Sequence, residues 1–476
     1  MIKRWLEIGI AAVLIVTALY FAVSSSLAPH RPDTGHSASY VRPSSTRSEL
    51  SAPLVPFLDL LARDQEDAID AVPRIEAGWD PTQAVMLVEM LPYLRNPEVS
   101  AGVVSILETK TGKDFGTDRD QWLDYIWDSN PGLHPNYAEF KAGFYGGMDP
   151  LFSEYFKDNP AATIRLDEIR WGGVVRDGIP PLKDPKIVSA TQATYLDDGN
   201  VVFGVEINGD ARAYPKRILG WHEMVKDTVG GESINGVYCT LCGSMIIYRT
   251  TVDSVHYELG TSGFLYRSNK LMYDHGTKSM WSTLTGEPVV GQLVGKGIKL
   301  ELLHVVTTTW GEWRRRHPET KVLSLATGHR RDYGEGVAYK KYFATDDLMF
   351  TVPKLDTRLK NKAEVLALRF PEYPEEQLAI AAKFLAKNPV YQDRIGTVEF
   401  VVLTDKSEAN RVYETKGLEF ESWDRDQNIL DAEGESWEVT EAQLVSKDGQ
   451  SLKRLPAHRA FWFGWYSAYP ETRLVK

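Results

Sequence analysis

The sequence predicts an α+β protein whose larger part is strand-rich and duplicated. Three observations predict it. Hairpin signals crowd the chain after about residue 160, helical periodicity fills the stretch before, and one aromatic motif occurs twice at a constant offset. An N-terminal membrane helix and a small helical module complete the expected fold.

The chain opens "MIKRWLEIGIAAVLIVTALYFAVSSSLAPH", with Lys3 and Arg4 ahead of an apolar run from Ile8 to Val23. A charged start followed by such a run is an export signal, and with its flanks it reaches roughly 20 residues, enough to cross a bilayer. Pro29 directly follows the small-residue site at Ser26–Ala28. Residues 1–28 are therefore expected to stay as a signal anchor that holds the protein to the membrane. The positive end stays inside and the remainder faces the exported side, periplasm or cell surface. Residues 29–50, rich in Pro, Ser and Thr, make a flexible linker.

Residues 51–155 carry helix punctuation. Leu54, Phe57, Leu58 and Leu61 share one helix face, and "DPTQAVMLVEML" and "NPEVSAGVVSIL" each start with a capping residue before proline. No residue type there demands chemistry, so the module is assigned a packing or spacing role. Beyond it, "VVFGVEINGDARAYP" and "DTVGGESINGVYC" hold Asn-Gly and Gly-Gly turns between apolar runs, which mark hairpins.

The repeat pairs "TWGEWRRRHPETKVL" with "FWFGWYSAYPETRLV". Trp310, Trp313, Pro318, Glu319 and Thr320 fall on Trp462, Trp465, Pro470, Glu471 and Thr472. "SMWSTLTGEPV" likewise resembles "ESWEVTEAQLV". The first α+β repeat is placed at 156–345 and a degenerate second at 346–476. Two such units fit one pseudo-symmetric body better than a solenoid, which needs three or more.

A net charge of -11 argues against a nucleic-acid partner. The only two cysteines, Cys239 and Cys242, form a C-x-x-C in the first repeat. Aligning the repeats sets Cys239 near Thr404 and Cys242 near Ser407, so the unit folds in its second copy without thiols. The spacing suits a reversible disulfide, and so small a ring gains little as a structural crosslink. A metal clamp is the alternative. Cys239, Cys242 and His222 would supply three ligands for zinc or copper, with His256 or His275 as a fourth. A passive disulfide in a scaffold is a third reading.

"GWHEMVKDTVGG", "VYCTLCGSMIIY", "LGTSGFLYRSNKLMYDHGTKSMWSTLTGEPV" and "TTWGEWRRRHPETKVLS" together resemble an exported bacterial and archaeal family known as domain of unknown function 3179. Trp-His-Glu followed by Tyr-Cys-x-x-Cys-Gly carries the resemblance. The match is close over about 190–330, with the C-terminal copy similar to the family's degenerate second half. Some relatives resemble selenoproteins, which implies redox work at the cysteine motif. The first cysteine of that motif is usually followed by proline, and here Thr240 stands instead.

The leading expectation is thus a membrane-anchored thiol redox protein acting at Cys239 and Cys242 on a protein thiol partner. His222 would serve as base, oriented by Glu223 or Asp227. Trp221, Glu223, Asp227, Arg267, Asp274 and Trp281 are expected to wall a pocket facing the cysteines, with Arg267 favouring the thiolate or an anionic substrate.

Overall fold

The computed structural model describes residues 51–476, an α+β chain with many strands and a few helices. The expected membrane helix and linker lie outside the described residues, and among those described no helix is long and apolar enough to cross a membrane.

Helices come first: α1 (Gln65–Ala77), α2 (Gln83–Met90), α3 (Pro97–Thr111), α4 (Arg119–Ser129) and α5 (Tyr137–Gly146). Asp64, Asn96 and Asp118 cap α1, α3 and α4 by accepting from backbone amides. The apolar core of these helices runs on into a sheet of the body through Phe264, Leu271, Tyr273 and Met280. The module therefore packs into the body as one core. Within it, fully buried Lys141 is paired with Glu89 at 2.5 Å, and Tyr145 donates to the same carboxylate.

The first half of the body runs β1 (Val201–Ile207), β2 (Asp210–Pro215), α6 (Lys216–His222), β3 (Met224–Val229), β4 (Glu232–Cys239), β5 (Ser244–Arg249), β6 (Leu259–Tyr266), β7 (Asn269–Asp274), β8 (Val306–Thr309), α7 (Trp310–Arg316) and β9 (Lys321–Leu323). A connecting stretch carries the short α8 (Lys340–Phe343). The second half runs β10 (Glu364–Arg369), β11 (Gln377–Ala381), α9 (Ala382–Lys387), β12 (Val390–Ile395), β13 (Val398–Thr404), β14 (Asn410–Glu414), β15 (Ala457–Phe461), α10 (Trp462–Ala468) and β16 (Arg473–Val475).

The two halves share an order of pairing. One sheet contains the run β8-β1-β2-β9, extended beyond β9 by an antiparallel strand at Ile187–Ser189, and the other reads β15-β10-β11-β16; within each run of four only the last pair is parallel. The antiparallel set β3-β4-β5 matches β12-β13-β14.

The repeated motif has a physical basis in these sheets. Trp313 lies buried and its indole N–H donates to Thr320 Oγ1 at 2.9 Å; Trp465 donates to Thr472 Oγ1 at 3.0 Å. The Pro-Glu-Thr turn thus carries the acceptor that a buried indole requires. Asp274 and Trp281 obey the same logic: Trp281 Nε1 donates to Asp274 at 3.2 Å, and Trp437 donates to Asp431 at 2.9 Å. Gly204 in β1 is needed because an added Cβ would fall 2.3 Å from the Trp313 ring.

Thr320→Val, which keeps the shape but removes the acceptor, is expected to destabilise the protein by about 1–3 kcal/mol, with Thr320→Ser largely neutral by comparison. Urea midpoints of the two variants measure it, and equal midpoints would refute the pairing's importance.

Candidate functional site

Cys239 ends β4 opposite Ser244, and Thr240–Gly243 make the turn into β5. Gly243 closes that turn with φ +62°, and the Phe461 ring sits where its Cβ would be. The second half makes the corresponding turn at Asp405–Ala409, with Glu408 at φ +66°.

Both sulfurs face the carbonyl of Ser268, Cys242 at 3.1 Å and Cys239 at 3.8 Å. Ser268 belongs to the β6–β7 turn, where Arg267 (φ +47°) and Ser268 (φ +65°) are both left-handed. Two successive non-glycine residues in that region are unfavourable. They are held there from outside: Arg267 is paired with Glu168 at 2.5 Å and donates to the Ser467 carbonyl of α10, and Asn269 donates to the Gly464 carbonyl at 3.0 Å.

The second half covers the thiols. The Phe461 amide donates to the Cys242 carbonyl at 2.7 Å. Gly464 of α10 lies so near that an added Cβ would be 3.1 Å from Cys242 Cβ. From the other side Tyr342 of α8 donates to the Leu241 carbonyl at 2.8 Å, and Phe350 and Met349 pack on the same cluster. Cys239 is 3% exposed and Cys242 1%, so neither sulfur can meet a bulky disulfide in this state. Both are free thiols.

Glu223 stands beside them. It caps α6 in the left-handed conformation (φ +56°), which turns its carboxylate toward the thiol turn. Lys270 Nζ lies 2.5 Å from Oε2, while Thr240 and Tyr339 each donate to Oε1 at 2.8 Å. Lys270 and Glu223 are both almost fully buried, so each requires the other.

Burial pushes the Cys239 thiol up, and the Glu223 charge adds to that. Once Cys239 is ionised the Cys242 thiol can turn its proton to that sulfur, and this, with the amides of Lys270 and Cys242, outweighs both, so Cys239 lies below the ordinary thiol value. Burial and the adjacent Cys239 sulfur push Cys242 well above it. Cys239 is the thiol that ionises first.

His222 does not join this group. Its ring faces the opposite way, with Nδ1 2.9 Å from the Pro180 carbonyl and Nε2 2.6 Å from Tyr333 Oη. A carbonyl can only accept, so Nδ1 carries the proton and Nε2 accepts from the phenol. Burial lowers its pKa to about 4. The expectation of His222 as base or third metal ligand is corrected: α6 ends between the two residues, sending His222 to one side and Glu223 to the other. Among the described residues, no cluster of three or more His, Cys, Asp or Glu could hold a metal ion. A zinc or copper set of Cys239, Cys242 and His222 is not assembled.

Of the expected pocket wall, Glu223 alone bonds the thiol turn, through Thr240. Trp221 donates to the Asp332 carbonyl at 2.8 Å. Asp227 accepts from Tyr214 at 2.8 Å. Asp274 and Trp281 hold each other, and Arg267 shapes the Ser268 turn rather than touching a sulfur.

The family described as a protein of unknown function (DUF3179) matches residues 176–472, more than half of the sequence. The chain belongs to this family. No curated protein and no solved structure matches it. The matched span holds Cys239, Cys242, Glu223, Lys270 and α10, so the whole thiol cluster and its cover lie inside the DUF3179 region.

Residue-type reasoning missed Lys270, Ser268, Tyr339 and Tyr342. Lys270 left a signal: it sits in "NKLMYD", where β7 is buried along its whole length, and a lysine in such a strand requires a buried anion.

The cluster sets two opposite expectations for the pH at which Cys239 ionises. Glu223→Gln removes an opposing charge and shifts the alkylation midpoint downward by about a unit; Lys270→Met leaves Glu223 uncompensated and shifts it upward. The pH profile of iodoacetamide modification reads both, and a common direction would refute the assignment.

Proposed function

We propose that this is an exported, membrane-anchored thiol redox protein whose reactive pair is Cys239 and Cys242, set in the first half of a duplicated body. The observation that carries the reading is the convergence of both sulfurs on the Ser268 carbonyl, which leaves the Cys242 thiol placed to donate to Cys239 once that sulfur ionises. That arrangement lowers the first thiol and keeps a second one within reach of it. A structural role requires neither. The second half supports the reading by contrast. Its turn holds Asp405, which accepts from Ser407 and is paired with Arg411 at 2.8 Å, a static buried ion pair.

In the reducing direction the Cys239 thiolate attacks a partner disulfide, forming a mixed disulfide and releasing one partner thiolate. Cys242 then loses its proton and attacks the Cys239 sulfur. The second partner thiol leaves, and the chain ends with a Cys239–Cys242 disulfide. Two electrons pass from the cysteine pair to the partner, and a dithiol donor must restore them. Glu223 is the nearest carboxylate to accept the Cys242 proton, and Lys270, Thr240 and Tyr339 hold it in place. The buried sulfurs require the α8 stretch to lift before a protein disulfide can approach. Tyr339 and Tyr342 supply the hydrogen bonds that tie it to Glu223 and to the thiol turn.

Cys242→Ser is expected to trap mixed disulfides through Cys239, visible on non-reducing gels, whereas Cys239→Ser is not. Tyr342→Ala should quicken trapping by releasing α8. A dithiol–disulfide potential below about -300 mV, with no trapped species, would sink the redox reading and leave a structural bond.

A further inference from the structure

The second half has a cavity of about 420 Å³ where β10 and β15 meet Tyr248, Thr285 and Leu300 of the first half. That is within the range of small-molecule sites. Its walls are mainly apolar, with Tyr248, Leu300, Phe370 and Trp465 prominent. Among the polar side chains that interrupt them, three stand without partners. Thr285 Oγ1, Arg369 Nε and His458 Nε2 are each buried and lack a hydrogen-bond partner, and all three residues line this one cavity. Buried polar atoms without partners are unfavourable and uncommon, so three around one space point to something that satisfies them.

The charge at the site is Arg369. Among the described residues its guanidinium has no ion pair, and it lies over the Tyr469 ring at 5.9 Å. Other cavity charges are committed elsewhere: Lys299 to Glu287 at 3.0 Å, Glu301 to Arg249 at 2.5 Å, and Arg454 to Glu441 at 2.6 Å. Glu372 and Lys453 lie exposed at the rim. Burial drives the His458 pKa down to about 4, so this ring offers hydrogen bonding without charge.

The first half supplies an internal comparison. Strand register places His458 on Val306 and Arg369 on Glu206. Val306 packs in the apolar core with Trp313, and Glu206 accepts from the Gly209 amide at 2.8 Å. The fold unit therefore does not require a histidine or an arginine at these positions.

We propose that this cavity binds a small organic carboxylate with an apolar body, its carboxylate on Arg369 and Thr285 and its body against Phe370 and Trp465. A guanidinium suits a carboxylate because it can donate two parallel hydrogen bonds. This site is independent of the cysteines, so its test and theirs fail separately.

Titration calorimetry of the full chain with 4-phenylbutyrate and with 4-phenylbutanol tests it. The acid is expected to bind with one site and a Kd below about 1 mM, and the alcohol about tenfold more weakly or worse. Arg369→Gln should erase that preference while leaving the melting midpoint in place, and Cys239→Ser with Cys242→Ser should leave the preference intact. No binding of the acid at about 10 mM, equal binding of acid and alcohol, or an unchanged preference in Arg369→Gln would each overturn the proposal.

Discussion

A carboxylate buried beside a thiol constrains everything around it. Glu223 has lost most of its water, and a bare charge there would be prohibitively unfavourable. Lys270 must therefore enter from β7, Thr240 must carry a hydroxyl, and Tyr339 must reach across from the stretch before α8. The three donors come from three separate segments of chain. Satisfying one anion thus fastens the cysteine turn, the β6–β7 hairpin and the cover over the thiols to one another. Thr240 suits this corner because its hydroxyl donates to the carboxylate, a bond that a residue without a hydroxyl could not make.

Much of the fold could be read from residue patterns because the patterns are local. The helix cap at Asn96 and the Asn-Gly hairpins each depend on neighbours in sequence. The Trp-x-x-Trp…Pro-Glu-Thr match was legible for a further reason. Each indole requires its own threonine ten residues or fewer away, so the motif records a bond, twice. What could not be read was depth. The helical stretch looked separable because its periodicity is self-contained, yet its apolar face continues into Phe264 and Leu271.

The site was half legible for the same reason. Cys239 and Cys242 announce themselves by spacing, but which neighbour faces them depends on one backbone angle. The left-handed Glu223 ends α6 and swings its carboxylate to the sulfurs, leaving His222 behind with Pro180 and Tyr333. Histidine is the customary partner for a thiol, and no sequence pattern marked the switch. Ser268 was invisible because it acts through its carbonyl, which every residue has.

The two turns at Thr240–Gly243 and Asp405–Ala409 bear on how such a protein can change over time. In a symmetric pair of identical chains, any substitution in one partner is imposed on the other, so a reactive dithiol and a rigid ion pair could not occupy equivalent corners. Joining both halves in one chain removes that restriction. One corner is free to carry chemistry while its counterpart, with Asp405 and Arg411 locked together, supplies stiffness. Each is also pressed by the other half, Cys242 by Gly464 and Ser407 by Thr308. A change that loosens the inert corner would thus be felt at the reactive one, giving selection a way to tune the thiols without touching them.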